Sequence, residues 1–183
     1  MTDVIEAILS RSSEPRLTAP APSGEQLEKL LECAFRAPDH AILRPWRYLV
    51  IEGEGLKALG ELFAQTGATP EEKDKLGRMP LRAPMIIVGI TSPKSHPKVP
   101  EIEQAMSTAV GMGYLLLALR DAGFGGMWRT GMLAYNAQVK AGLGLAEHES
   151  IAGFVYVGTV ASEKPAVPRP AVAELVSRWP AQS

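Results

Sequence analysis

Three short polar stretches hold most of the side chains in this sequence that are able to grip a ligand. The first is Arg11-Ser12-Ser13, a guanidinium followed by two hydroxyls. An arginine fork meets phosphate oxygens bidentately and the hydroxyls add bonds at the same depth, so the triplet suits a phosphomonoester carrying about two negative charges. A solvated helix end has the same composition. The second stretch is RAPDHAILRPW, from Arg36 to Trp46. Its prolines fix the backbone of a loop that offers Arg36, His40 and Arg44 as donors and Trp46 as a flat apolar wall. An ordinary loop whose tryptophan belongs to the core reads the same way.

The third stretch is GFGGMWRTG, from Gly123 to Gly131. A dinucleotide loop needs G-x-G-x-x-G directly after a strand and at the start of a helix. Here Trp128 stands where the third glycine belongs, and a long helical pattern precedes Gly123. The glycines therefore read as a helix cap and a turn, with Gly123 as the left-handed cap residue. They leave Trp128, Arg129 and Thr130 beside a backbone that a ligand can approach closely.

Other chemistries find no support. His40, His96 and His148 lie in separate segments, there is no H-E-x-x-H and no cysteine pair, so no dedicated metal site is expected. No P-loop or G-x-S-x-G elbow is present, and Cys33, the one cysteine, falls within an apolar helix stripe as a packed thiol.

These stretches must be positioned by a chain of 183 residues, enough for one substantial core, and a single domain over residues 1–183 is expected. Apolar residues make up 46% and charged residues 21%, with a net charge of -1, so nothing in the global charge calls for nucleic acid or an anionic membrane. The N-terminus lacks the features of a secretory signal. The apolar run Met106 to Leu119 falls short of the roughly 20 residues that span a bilayer. A cytoplasmic location and a reducing compartment follow as expectations.

Hydrophobic periodicity and caps set the elements. Asp3 and Glu6 open a short helix ending near Ser10. Ser23 with Gln26 makes a capping box for a second helix striped by Leu27, Leu30, Leu31 and Ala34 and stopped by Pro38. A strand over Tyr48–Ile51 follows, then a helix through Leu56, Leu59, Leu62 and Phe63. Thr69, Pro70 and Glu72 start a fourth helix. MIIVGITS reads as a central strand, Glu101 to Ala122 as one long helix apolar on most sides, and Ile151 to Thr159 as another core strand. Shorter elements are expected at Met127–Thr130 and Asn136–Ala141, with an extended tail from Lys164 to Pro170.

Taken together, these segments resemble the nitroreductase family of flavoproteins, in its short bacterial branch. Arg11-Ser12-Ser13, R-A-P-D-H with Pro45-Trp46, VIEGEG, K-V-P before the long helix, and G-F-G-G-x-W-R-T-G occur in that family's order, covering the first helix to Gly158. The resemblance implies an α+β nitroreductase-like fold, with a central mixed β-sheet surrounded by helices and a long buried helix at a homodimer interface. It implies FMN held by Arg11, Ser12 and Ser13 at the phosphate and ribityl chain, by Arg36 and His40 across the dimer interface, and by Trp128, Arg129 and Thr130. Ala122 and Gly123 fall in the segment that relatives assign to nicotinamide. The implied activity passes hydride from NADH or NADPH to the flavin and then reduces a nitro compound, quinone or similar small-molecule acceptor by a ping-pong mechanism. A flavin reductase or dehydrogenase with another natural substrate, or an FMN-binding storage or sensing module with little turnover, remain alternatives. Arg169, between two prolines in the tail, lies outside these motifs and is not counted in the site.

Overall fold

A computed structural model describes residues 3–162, 165 and 167–180. Helix α1 (Val4–Ser10) starts at Asp3, whose carboxylate accepts from the Ile5 N–H. It is followed by β1 (Leu17–Thr18) and α2 (Gly24–Ala34). Ser23 is the N-cap of α2, but its side chain makes no capping bond, so the expected box with Gln26 does not form. Next come β2 (Trp46–Glu52), α3 (Glu54–Ala64) and α4 (Pro70–Gly77). The last of these starts at the expected Thr69 cap and closes a full capping box, Thr69 accepting from the Glu72 N–H and Glu72 reaching back to the cap.

Strand β3 (Met85–Thr91) is buried at every position, as a nearly continuous apolar run requires. Helix α5 (Glu101–Asp121) has 21 residues and a length of about 30 Å. It is long and apolar enough by composition to cross a membrane. Here it is a core helix, packed against α2 on one side and the sheet on the other. Beyond it lie β4 (Gly125–Arg129), α6 (Met132–Tyr135), α7 (Ala137–Gly142), β5 (Ser150–Val160) and α8 (Val172–Leu175). Lys164 and residue 166 of the expected extended tail lie outside the described residues. Pro165 and 167–170 have no regular structure.

Strand β5 is the hub of the sheet, pairing with β3, β4 and the short β1, while β2 pairs with β3 at the edge. Every pairing among the described residues is antiparallel, which corrects the expectation of a mixed sheet. The reason lies in the connections. A single helix between two strands returns the chain in the same direction, and α5 does this for β3 and β4; β5 then inserts between them and pairs with both in the opposite sense. Two helices, α3 and α4, join β2 to β3 and so reverse its direction.

Alternation along the strands creates two cores. Ile86, Val88, Ile90, Phe154 and Tyr156 pack under Leu56, Leu59 and Phe63 of α3, with Phe63 and Phe154 edge to face at 5.4 Å. Met85, Ile87, Val155 and Val157 pack under Leu30 and Ala34 of α2 and Met112, Leu115 and Leu119 of α5.

Candidate functional site

The extended chain after α1 runs beside the start of β4, where the Glu14 N–H donates to the Gly126 carbonyl at 3.1 Å. This places Arg11 and Ser12 on the wall of a cavity of about 510 Å³ that also receives Glu14, Arg120 from the last turn of α5, and Arg169 from the tail. Three guanidiniums and one carboxylate leave two positive charges in excess there. That excess matches a phosphate monoester at neutral pH. Ser12 hydrogen-bonds the Glu14 carboxylate, and the Arg120 Nε donates to Ser10 Oγ at 2.9 Å. Ser13 is exposed and does not line the cavity.

Neither Arg120 nor Arg169 is visible as a site residue in the sequence. Arg120 reads as a basic residue complementing a helix C-terminus, and Arg169 as part of a proline-rich tail. Arg169 and Arg11, far apart in the sequence, meet only as lining of the same cavity.

Strand β4 divides the Trp128-Arg129-Thr130 triplet. Successive strand residues point to opposite faces. Trp128 packs with the α2 and α5 core, and its Nε1–H donates to the Ala152 carbonyl at 3.1 Å. Arg129 emerges on the other face with its guanidinium 5.5 Å from the centre of the Tyr156 ring. Burial raises the Tyr156 phenol above its usual range, against the opposing pull of Arg129 and Arg82. Thr130, exposed beyond the strand end, lines a separate cavity of about 450 Å³ with Lys75 of α4 and Met132 of α6. From Gly126, beside the Arg11 cavity, to Thr130 the chain advances about 13 Å.

Arg36 and His40 lie at the opposite end of α5. Arg36 is exposed and lines a cavity of about 740 Å³ with Phe35, Arg44, Trp46 and Tyr48. Burial pushes the Tyr48 phenol up to about 12, and its hydroxyl has no hydrogen-bond partner. His40 Nδ1 lies 2.9 Å from Glu103 in the first turn of α5. Glu103 and Arg120 are 17 residues apart on one helix, a separation of about 25 Å. Arg36 and His40 are therefore separated from the Arg11 cavity by most of the length of α5.

Ala122 caps α5 and Gly123 follows in the left-handed conformation at φ 82°. Ala122 faces a groove against α2 with Lys29 and Cys33, away from the Arg11 cavity.

An antiparallel sheet flanked by helices, with a cationic cavity at one end of a long central helix, is the setting in which the comparisons fall. The family model described as the nitroreductase family matches residues 8–159. The chain belongs to this family, and membership makes it an oxidoreductase. It is 38% identical over 161 residues to YdjA of Escherichia coli K12, whose name places it among the NAD(P)H nitroreductases, covering 86% of this chain and 88% of that one. A nitroreductase-like family protein from Bacillus cereus superposes with a TM-score of 0.87 at 26% identity, covering 97% of this chain and 96% of that chain. A protein from Desulfovibrio desulfuricans, solved in complex with FMN, gives a TM-score of 0.77 at 23% identity over 98% of each chain.

Proposed function

We propose that the protein is an FMN-dependent oxidoreductase of the cytoplasm, a single FMN-binding domain acting as a homodimer. It takes hydride from NADH or NADPH and reduces a nitro compound, quinone or similar acceptor in a ping-pong cycle. The observation that carries this reading is the Arg11-Ser12-Arg120-Arg169 cavity, whose excess of two positive charges fits a phosphate monoester. The β4 edge from Gly126 to Thr130 gives the rest of a mononucleotide a path of matching length. Bound flavin supplies the two-electron chemistry.

The residues of the chain bind and orient. Arg11 and Arg169 would neutralise a phosphate bound there, Arg120 is held by Ser10, and Ser12 would turn its hydroxyl from the Glu14 carboxylate to the phosphate. Thr130 stands at the far end of the path, where a cavity lined by Lys75 and Met132 can admit nicotinamide and acceptor in turn.

The homodimer is supported by the separation of Arg36 and His40 from the Arg11 cavity and by an exposed stripe. Ile102, Met106, Val110 and Tyr114 follow one another at four-residue spacing on α5 and are 61%, 58%, 39% and 38% exposed. Two copies related by a two-fold axis near Val110, with antiparallel α5 helices, bury this stripe. The same arrangement brings Arg36 and His40 of one protomer to the Arg11 cavity of its partner.

The test uses mixed dimers of Arg11→Ala and Arg36→Ala chains. Shared sites leave one intact site per mixed dimer, so FMN binding recovers to about half of wild type while each homodimer binds weakly. Sites formed within one chain would leave every site damaged and show no recovery. A wild-type protein that takes up no added FMN would overturn the flavin assignment itself.

A further inference from the structure

The loop between Pro38 and Pro45 leaves ordinary backbone geometry three times within four residues. Ala41, Ile42 and Arg44 have φ values of 63°, 55° and 49°. In this left-handed region the Cβ crowds the following carbonyl, and a β-branched isoleucine suffers most. Such a conformation persists only where its surroundings over-determine it.

The surroundings are specific. The Asp39 carboxylate accepts from the backbone N–H groups of Leu43 at 3.1 Å and Arg44 at 2.7 Å, closing the loop on itself. From α5, Ser107 Oγ donates to the Pro38 carbonyl at 2.6 Å, and Thr108 Oγ1 shares its proton between the Pro45 and Gln104 carbonyls, each at 3.2 Å. The two residues are 7% and 0% exposed, on a helix whose other core contacts are largely apolar. They grip the two ends of the strained segment, and the His40–Glu103 contact ties down its first turn.

We propose that Asp39, Ser107 and Thr108 are positioning residues that hold this loop in its left-handed form, and that the form presents His40 to the flavin of the partner protomer. The proposal rests on the functional reading above. It differs from simple carbonyl satisfaction in one respect: the anchors oppose strain, so cutting one lets the loop relax, offsetting part of the lost bond in the free protein. Ligand affinity then falls more than stability.

Flavin-stripped Asp39→Ala, Ser107→Ala and Ser107→Thr dimers are titrated with FMN by fluorescence quenching and melted without ligand. Asp39→Ala and Ser107→Ala weaken FMN binding about tenfold. The melting temperature moves by less than about 4 °C. Ser107→Thr keeps the hydroxyl and restores affinity. Adding Ala41→Gly and Ile42→Gly to Asp39→Ala also regains affinity, because glycine occupies the left-handed region without strain. Unchanged affinity in the first two variants overturns the proposal. So does a parallel loss of affinity and melting temperature without rescue by glycine, the mark of an ordinary structural anchor. A wild-type dimer that binds no FMN overturns the functional reading and this proposal with it, whereas normal wild-type binding with unaffected variants overturns this proposal alone.

Discussion

Arg47 and Glu149, 102 positions apart in the chain, meet in a two-pronged contact: Arg47 Nε lies 2.7 Å from one carboxylate oxygen and Nη2 lies 2.6 Å from the other. The pair fastens edge strand β2 to the turn that leads into β5. Glu149 is 7% exposed and also accepts from the Ala146 N–H. The Arg47 bond, working against burial, holds its carboxyl down to about 2. A carboxyl depressed in the folded state contributes stability above its unfolded value of about 4.5, and that contribution is lost as pH falls toward about 2. Glu149→Gln should cost about 1–3 kcal/mol at neutral pH. The gap between wild type and variant should close in denaturant melts taken between pH 5 and pH 2.5. A gap that stays constant across that range would show that the carboxylate charge plays no part.

The α5 stripe gives a test of assembly. Met106→Glu places a charge within the surface proposed to meet its copy, and burying it unpaired costs several kcal/mol. The variant should run as a monomer by light scattering, keep its helical circular dichroism, and lose FMN affinity because each cavity loses the partner's loop. A dimeric Met106→Glu protein would move the interface elsewhere, with the exposed stripe of α1 as the next surface to test, where Val4, Ile5, Ile8 and Leu9 are 69%, 65%, 51% and 78% exposed.

Arg169 reaches the Arg11 cavity from the tail, and with that cavity proposed to hold the FMN phosphate, its loss should be felt only by ligands that carry the phosphate. Arg169→Ala is expected to weaken FMN binding at least tenfold, about 1.4 kcal/mol, and to leave riboflavin affinity unchanged. Equal losses for both ligands would mean that the arginine shapes the ring pocket or the tail instead.

Nicotinamide and acceptor are proposed to share the space beside Thr130, with no separate dinucleotide loop. Steady-state rates should then give parallel double-reciprocal lines. Anaerobic NADH or NADPH alone should bleach the flavin, and a quinone should restore it. Intersecting lines, with reduction only when both substrates are present, would require a second site.

Much of this architecture is written locally in the chain. Thr69, Pro70 and Glu72 specify a helix start through three side chains within four positions, and the helix starts at that cap. The nearly continuous apolar run of β3 has no stable alternative to full burial. Strand direction was not legible, because it depends on how many helices fold back between strands and on where β5 inserts. Arg11 and Ser12 of the Arg-Ser-Ser triplet line one cavity while Ser13 does not, and Arg120 and Arg169 join Arg11 there only through tertiary placement. Trp128 and Arg129 illustrate the converse: adjacent in sequence, they are parted by the pleat to opposite faces. Ser107 and Thr108 sit in a helix that reads as simply apolar, and nothing local says that they hold a loop more than sixty residues away.

The contact between Trp128 and Gly153 constrains the order in which the two positions can be substituted. A Cβ at position 153 would land on the indole nitrogen, so no side chain can enter there while the tryptophan remains. Shrinking Trp128 first opens the space but strips the Ala152 carbonyl of its donor and thins the core beside α5. The two positions are therefore sterically coupled, and a side chain at 153 is admitted only together with a smaller residue at 128.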